Sequence, residues 1–190
     1  FNNMLTPVLG YAELSQDALP VDDKVHAYQK QIHVAATRAK NLVEQMLNFS
    51  EPAVAHKEWV WLHEALDEAV QLARAIAPSS VKIGSKISHD NIQVQVDAKQ
   101  FHTLLMALLS NAIEAIGPRK GLVELRAELH SKTVCLKISD NGCGMSSQVQ
   151  QRMFEPLFTT KGETWRTGMG LAVAQGILSS HQLSCDVQSD

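Results

Sequence analysis

Three stretches of the 190-residue sequence combine residue types that could do chemistry. In "SDNGCGM", Asp140 stands at the end of an apolar run and is followed by Gly142 and Gly144. Glycines two apart allow backbone conformations and close approaches that a Cβ forbids. A carboxylate buried there could accept a hydrogen bond from the exocyclic amine of adenine; a plain Asp-Asn-Gly turn uses the same residues. In "SNAIEAI", Asn111 interrupts the apolar set Leu104, Leu105, Leu108, Leu109, Ala112 and Ile116. An amide in such company is costly unless it has a partner. Its oxygen is a hard ligand suited to Mg2+, and a neighbouring backbone group would satisfy it equally well. In "TTKGETWRTGMG", hydroxyls, Lys161 and Thr167 precede Gly168 and Gly170, which open a helical pattern. Free N–H groups and the positive end of a helix make an anion site there, unless the stretch is only a glycine-flexible surface loop. The spacing is not that of a Walker A loop, and "TGMGLAVA" lacks the third glycine of a dinucleotide-binding fingerprint.

The elements that must position these residues are legible as periodicities. Residues 1–19 carry a 3-4 seam of Phe1, Leu5, Val8, Ala12, Ser15 and Leu19. Pro20 and Asp22–Asp23 punctuate it, and either aspartate can cap a second helix. That helix has a cleaner seam: Val25, Tyr28, Ile32, Ala35, Ala39, Leu42, Met46 and Phe49. Two such helices make a hairpin with too little core to stand alone, so a four-helix bundle in a dimer is expected. His26 and His33 share a face just off the seam and are expected toward solvent; about 10 Å of helix separates them, too far for one metal ion. Pro7, with no N–H to give, should loosen or bend the first helix.

"SEPAVAHKE" ends the pattern and reads as a linker. Beyond it strands and helices alternate: "WVWL", a helix through "HEALDEAVQLARAIAP", strands at "VKIGSKI" and "IQVQV", and a long helix "AKQFHTLLMALLSNAIEAI" stopping at Gly117-Pro118. "LVELRAELH" and "TVCLKIS" form an antiparallel pair, "SSQVQQRMF" a short helix and "GLAVAQGILSSH" a final one. The fold class is α+β, with one mixed sheet covered by helices on one face.

Composition narrows the class of function. The chain is 45% hydrophobic, 19% charged and 5% aromatic, with net charge −3, so no basic excess points to nucleic acid or a membrane surface. No apolar run reaches the ~18 residues of a membrane span. Cys135, Cys143 and Cys185 form no CxxC pair, which suggests a reducing compartment rather than a disulfide or zinc scaffold.

The order of the motifs supplies a resemblance. "SNAIEAI", "DNGCGM", "FEPLFTTK" and "TGMGL" resemble, in that order, the N, G1, F and G2 boxes of the Bergerat (GHKL) ATP-binding fold. The F box resembles that of sensor histidine kinases, and "FNNMLTPVLGYAEL" resembles the region after the phosphoacceptor in kinases whose H box reads His-Asp-Phe-Asn-Asn. The resemblance implies a dimerisation and histidine-phosphotransfer hairpin over residues 1–51, a linker over 52–57 and a catalytic α/β-sandwich ATP-binding domain over 58–190, lacking its last hairpin. It implies ATP and Mg2+ as cofactors. Asp140 would take the adenine amine and Asn111 would ligate Mg2+. Gly142 and Gly144 would shape the adenine pocket, and Lys161, Thr167, Gly168 and Gly170 would cradle phosphates.

The implied activity is that of a protein histidine kinase in a two-component system, in the cytoplasm, with any membrane attachment through segments outside these residues. Its implied partners are a second copy through residues 1–51 and a response-regulator receiver domain. The phosphoacceptor would fall two positions before Phe1, so the 190 residues are not expected to phosphorylate themselves. Asn3 would orient the water that dephosphorylates the regulator. His181 falls where such kinases carry His-Gly-Gly and reads as structural. Ala107, Arg166 and Gln182 depart from the family pattern; Glu114 stands where some such kinases place a basic residue, though Asn-Ala-x-Glu-Ala resembles the His-Asp-Phe-Asn-Asn type. The other reading that Ala107, Arg166 and Gln182 leave open is an ATP-independent phosphotransfer or scaffold module.

Overall fold

A computed structural model describes residues 2–18, 24–50, 55–87, 91–131, 133–160 and 168–189, the side chains of 2, 3, 17, 38 and 41–50 excepted. The chain divides into two compact units, Phe1–Glu51 and Pro52–Asp190.

The first unit is a pair of helices in contact, α1 (Asn2–Asp17) and α2 (Lys24–Ser50). Pro7 lies inside α1, which continues for ten residues beyond it. Ala12 and Ala36 are buried, and Leu5, Leu9, His26, Gln29 and His33 are half-buried around them. His26 and His33 are therefore not solvent-facing as the sequence suggested. Ala12 and Ala36 are small enough to let the backbones approach, so Ala12 of the expected first seam is buried and its Leu5 and Ser15 are half-buried, whereas Val8 and the Val25, Tyr28 and Ile32 of the second seam are left outside. Tyr28 is 61% exposed, Ile32 46% and Val8 44%, with Val25, Met4 and Tyr11 also exposed. Of the expected seam, Leu42, Met46 and Phe49 fall among the undescribed side chains, and Phe1 and Leu19 lie outside the described residues.

The second unit is α+β. Its order is β1 (Glu58–Trp61), α3 (Leu62–Ile76), β2 (Val81–Ile87), β3 (Gln93–Val96), α4 (Ala98–Ile116), β4 (Gly121–His130), β5 (Thr133–Asp140), α5 (Ser147–Arg152) and α6 (Gly170–His181). The expected single mixed sheet is, among the described residues, two sheets. β1 pairs antiparallel with β3, while β2 runs parallel to β4, which is antiparallel to β5. Periodicity marked every strand but could not assign partners, because four-residue strands such as β1 and β3 carry too little pattern to specify a neighbour.

One face of the larger sheet is buried. Val81 and Ile83 of β2 and Val123, Leu125 and Ala127 of β4 point inward, and the half-buried Leu136 and Ile138 of β5 stand opposite Ala127 and Leu125. Strand alternation puts the intervening residues on the other face. There Glu124 pairs with Arg126 and with Lys86 at 3.0 Å, and these cations hold its carboxyl below the usual range. Leu62, Leu66, Ala69, Val70 and Ala73 give α3 a helical stripe toward the same core. At the centre is α4, in contact with α3, α6, β4 and β5. Its buried residues are Phe101, Leu104, Leu105, Leu109, Ala112, Ile113 and Ile116.

Both ends of α4 are fixed by polar groups. Asp97 is the N-cap, its Oδ1 accepting from the Gln100 N–H at 3.0 Å and its Oδ2 from the His56 N–H at 3.1 Å. The Asp97 N–H donates to His181 Nε2 at 3.0 Å. That ring nitrogen must be unprotonated to accept, so Nδ1 carries the proton and faces the Ile177 carbonyl at 3.0 Å. The buried His181 thus ties the last turn of α6 to the first turn of α4, the structural part the sequence assigned it. The next residue, Gln182, caps α6 in the left-handed region at φ 59, a conformation glycine takes without the Cβ penalty of about 1–2 kcal/mol. At the other end Gly117, at φ 66, stops α4 where the sequence placed its end.

The hydrogen bond from Gln100, foremost, holds the Asp97 carboxyl below its ordinary pKa, so folding favours its charged form. Its stabilisation is complete above the unfolded pKa, about 4, and is lost as pH falls through the lower folded value. Asp97→Ala should cost about 1–2 kcal/mol at pH 7. The gap between wild type and variant in urea titrations should narrow below about pH 4.

Candidate functional site

The loop that follows β5 is held in place along its length. Asp140 is exposed, and its Oδ1 accepts from the Gly142 N–H at 2.8 Å, which orients the carboxylate across the turn. Asn141 turns the other way: its Oδ1 accepts from the Leu122 N–H at 2.8 Å and so continues the β4–β5 ladder past the last backbone pair. A Cβ on Gly121 would stand 2.8 Å from that same oxygen and 2.5 Å from Ile116, so the staple requires glycine at the start of β4.

Gly142 and Cys143 press on the last turn of α4. A Cβ on Gly142 would lie 2.6 Å from the Ala115 carbonyl carbon and 2.6 Å from its Cβ. The Cys143 N–H donates to the Ala115 carbonyl at 2.9 Å. A helix leaves its last carbonyls without partners, and here the loop supplies one. Gly144 follows at φ 67, and the Met145 N–H donates to Ser189 Oγ at 2.8 Å. Gln150 of α5 donates to the Met145 carbonyl at 3.0 Å.

The contact with Ala115 brings the loop to a particular face of α4. Ser110, Asn111, Glu114 and Ala115 recur at three- and four-residue steps on the side away from the core, yet all four are half-buried. Asn111 lies one turn before Ala115. Gly142 and Cys143 therefore meet α4 one turn beyond Asn111, at Ala115. Among the described residues no three His, Cys, Asp or Glu side chains cluster as a self-sufficient metal site. The donors present are an amide and carboxylate oxygens, the hard type that Mg2+ takes a few of while keeping water and phosphate as its other ligands.

A second pair of motifs meets at the start of α6. Gly168 has φ 63, and a Cβ there would stand 2.5 Å from the Leu157 carbonyl carbon and 2.7 Å from the Phe158 carbonyl oxygen. Leu157 is itself at φ 66 and 57% exposed. Arg152 stacks over the Phe158 ring at 4.4 Å and pairs with Glu155 at 2.9 Å, bracing the turn that follows α5. Met169 is buried, and α6 then begins at Gly170, where a Cβ would meet nothing within 4 Å among the described residues. Gly168 is therefore fixed by backbone and packing, whereas Gly170 is not.

Lys161 and Thr167, with Trp165 and Arg166, lie outside the described residues. Asn3 falls in α1, its side chain undescribed. Asn141, Gly121 and Ala115 are site-building residues that sequence reasoning missed. Asn141 was visible only as part of a turn, and nothing in the pattern marks the carbonyl of an alanine.

A family model described as "Histidine kinase-, DNA gyrase B-, and HSP90-like ATPase" matches residues 96–190. The signal transduction histidine-protein kinase AtoS of Escherichia coli is 29% identical over 185 residues, covering 95% of this chain and 29% of that protein. The sensory histidine kinase/phosphatase NtrB of Klebsiella oxytoca is 29% identical over 189 residues, covering 94% of this chain and 53% of NtrB. The chain thus spans from about a quarter to about half the length of such relatives. Among solved structures, full-length ShkA in complex with AMPPNP superimposes with a TM-score of 0.81 at 21% identity, covering 95% of this chain and 39% of that one. Histidine kinase ThkA in complex with response regulator protein TrrA gives 0.62 at 21% identity, over 83% of this chain and 48% of that one.

The packing at Gly142 is testable directly. Gly142→Ala places a methyl against backbone that cannot step aside, and should cost about 1–3 kcal/mol. Amide hydrogen exchange at Cys143 should rise with it, whereas Gly170→Ala should leave that amide as protected as in wild type.

Proposed function

The chain belongs to the histidine kinase-, DNA gyrase B- and HSP90-like ATPase family, and from that premise we propose that it is the dimerisation and ATP-binding core of a two-component sensor histidine kinase. The observation that carries the reading is the Cys143–Ala115 hydrogen bond with Gly142 packed beside it. It joins a carboxylate able to take an amine and a helix stripe bearing a hard amide ligand. Those are the two recognition elements that a metal–nucleotide complex requires.

In this reading Asp140 keeps Oδ1 on the Gly142 N–H and presents its other oxygen to the adenine amine. Gly142, by letting the turn close on α4, and Gly144 shape the pocket for the base, and Asn111 offers its oxygen to Mg2+. The ion, when bound, neutralises phosphate charge, which together with positioning is most of the catalysis in phosphoryl transfer. Gly168, Gly170, Lys161 and Thr167 line the phosphate end. The transferred group goes from ATP to an imidazole nitrogen, with ADP leaving, and then to an aspartate of a receiver domain. A neutral, oriented imidazole is the competent nucleophile. Asn3 is assigned the positioning of water for the reverse, phosphatase-type step.

Residues 1–51 form the dimer in this reading, 52–57 the linker and 58–190 the catalytic domain. The exposed seam supports the first assignment. Val25, Tyr28 and Ile32 on α2 and Met4, Val8 and Tyr11 on α1 are apolar, helically spaced and exposed in one hairpin. A second hairpin laid on that stripe completes a four-helix bundle and buries it.

Two measurements test these assignments. Calorimetric titration of Mg-ATP should give binding that Asp140→Ala weakens tenfold or more, about 1.4 kcal/mol. Asn111→Ala should remove the gain that Mg2+ confers. Absence of heat with wild-type protein would overturn the nucleotide reading. Separately, light scattering should show a dimer that Ile32→Glu converts to a monomer, while Glu13→Gln on α1 leaves the mass unchanged.

A further inference from the structure

Glu114 stands on the same stripe of α4 as Asn111, three residues on, where helix geometry makes the two side chains neighbours about 5–6 Å apart at Cβ. It points away from the core and is nevertheless half-buried. Its carboxylate is oriented: Oε1 accepts from Ser110 Oγ at 2.8 Å, across one helical turn. A half-buried carboxylate is not what a phosphate site calls for, since like charge repels. It is what a cation next to phosphates calls for. Beside it Asn111 supplies one hard oxygen, and no group of three His, Cys, Asp or Glu side chains forms a self-sufficient metal site among the described residues. An ion held by one amide and one carboxylate, directly or through water, with phosphate and water filling the remaining octahedral positions, is the arrangement Mg2+ prefers.

We infer that Glu114 is a second protein ligand, direct or through one water, for the divalent cation at the Asn111 site, and that Ser110 holds its carboxylate in place. The inference rests on the nucleotide reading above and adds to it a residue with a distinct signature. Glu114 makes nucleotide and metal binding mutually dependent. Without metal its charge opposes the phosphates; with metal it strengthens them. Linkage requires that the ion raise nucleotide affinity by the same factor as the nucleotide raises ion affinity.

The test uses the 190-residue chain with Mn2+ standing in for Mg2+ and ADP as the nucleotide. Mn2+ affinity is read by electron paramagnetic resonance at saturating ADP, and ADP affinity is read separately in EDTA. Glu114→Gln should lower Mn2+ affinity about tenfold or more, and Ser110→Ala by a smaller factor in the same direction. ADP affinity in EDTA should be unchanged or raised in Glu114→Gln, because a repulsive charge is gone. Circular dichroism and melting temperature keep a folding defect distinguishable, and Glu114→Asp should retain part of the Mn2+ affinity. Unchanged Mn2+ affinity in Glu114→Gln would overturn the inference, as would loss of metal-free ADP binding, which would place Glu114 on the nucleotide itself. Should wild type and Asp140→Ala bind ADP equally, the nucleotide reading fails instead, whatever Glu114 does.

Discussion

The candidate site depends on one unsatisfied carbonyl. Every helix ends with carbonyls that have lost their donors, and in α4 the one at Ala115 is met by the Cys143 N–H at 2.9 Å. That bond brings the β5–α5 loop against the helix closely enough that a single methyl on Gly142 would collide with backbone. The remaining constraints follow from it. Asp140 is oriented because Gly142 is held, and Asn141 can reach Leu122 because the loop is held at its far side. Gly121 must be glycine because Asn141 comes back to β4 at that height. The stripe of α4 that bears Asn111 and the turn that follows Asp140 are brought together where a helix terminus needs a donor and the loop has one.

The same economy fixes the helix at its other end. Asp97 caps α4 with its carboxylate and uses its own N–H on His181, so the start of α4 and the end of α6 share a single polar junction. Both helices flank the proposed phosphate end, α4 through Asn111 and α6 through Gly168 and Gly170. A tautomer-specific histidine is a narrow fastening, since a second ring proton would oppose the Asp97 N–H. In the other unit, Ala12 and Ala36 bring the two helices together, and the larger apolar residues remain outside.

Much of this was legible in order along the chain. The long helix was placed at its observed bounds because its apolar stripe is continuous and its stop is Gly117-Pro118. The strands were found by alternation, and Asp140, Gly142 and Asn111 by residue type and spacing. The two sheets were not legible, since a four-residue strand carries no information about which neighbour it chooses. Nor was the burial of His26 and His33: the stronger seam drew attention to Val25, Tyr28 and Ile32, but contact within the hairpin goes to the face where backbones can approach most closely.

The sequence by itself determined the element list, the cap and stop of α4, the glycines the turns demand and the chemical types available to a site. Local propensity and periodicity are written residue by residue, so these could be read without coordinates. The tertiary structure alone decided that Cys143 would find Ala115 and that Asn141 would staple Leu122. Those are backbone and side-chain meetings between segments as much as 28 residues apart. No local pattern encodes them, because the partner in each case is defined by where two elements cross and not by what either one is made of.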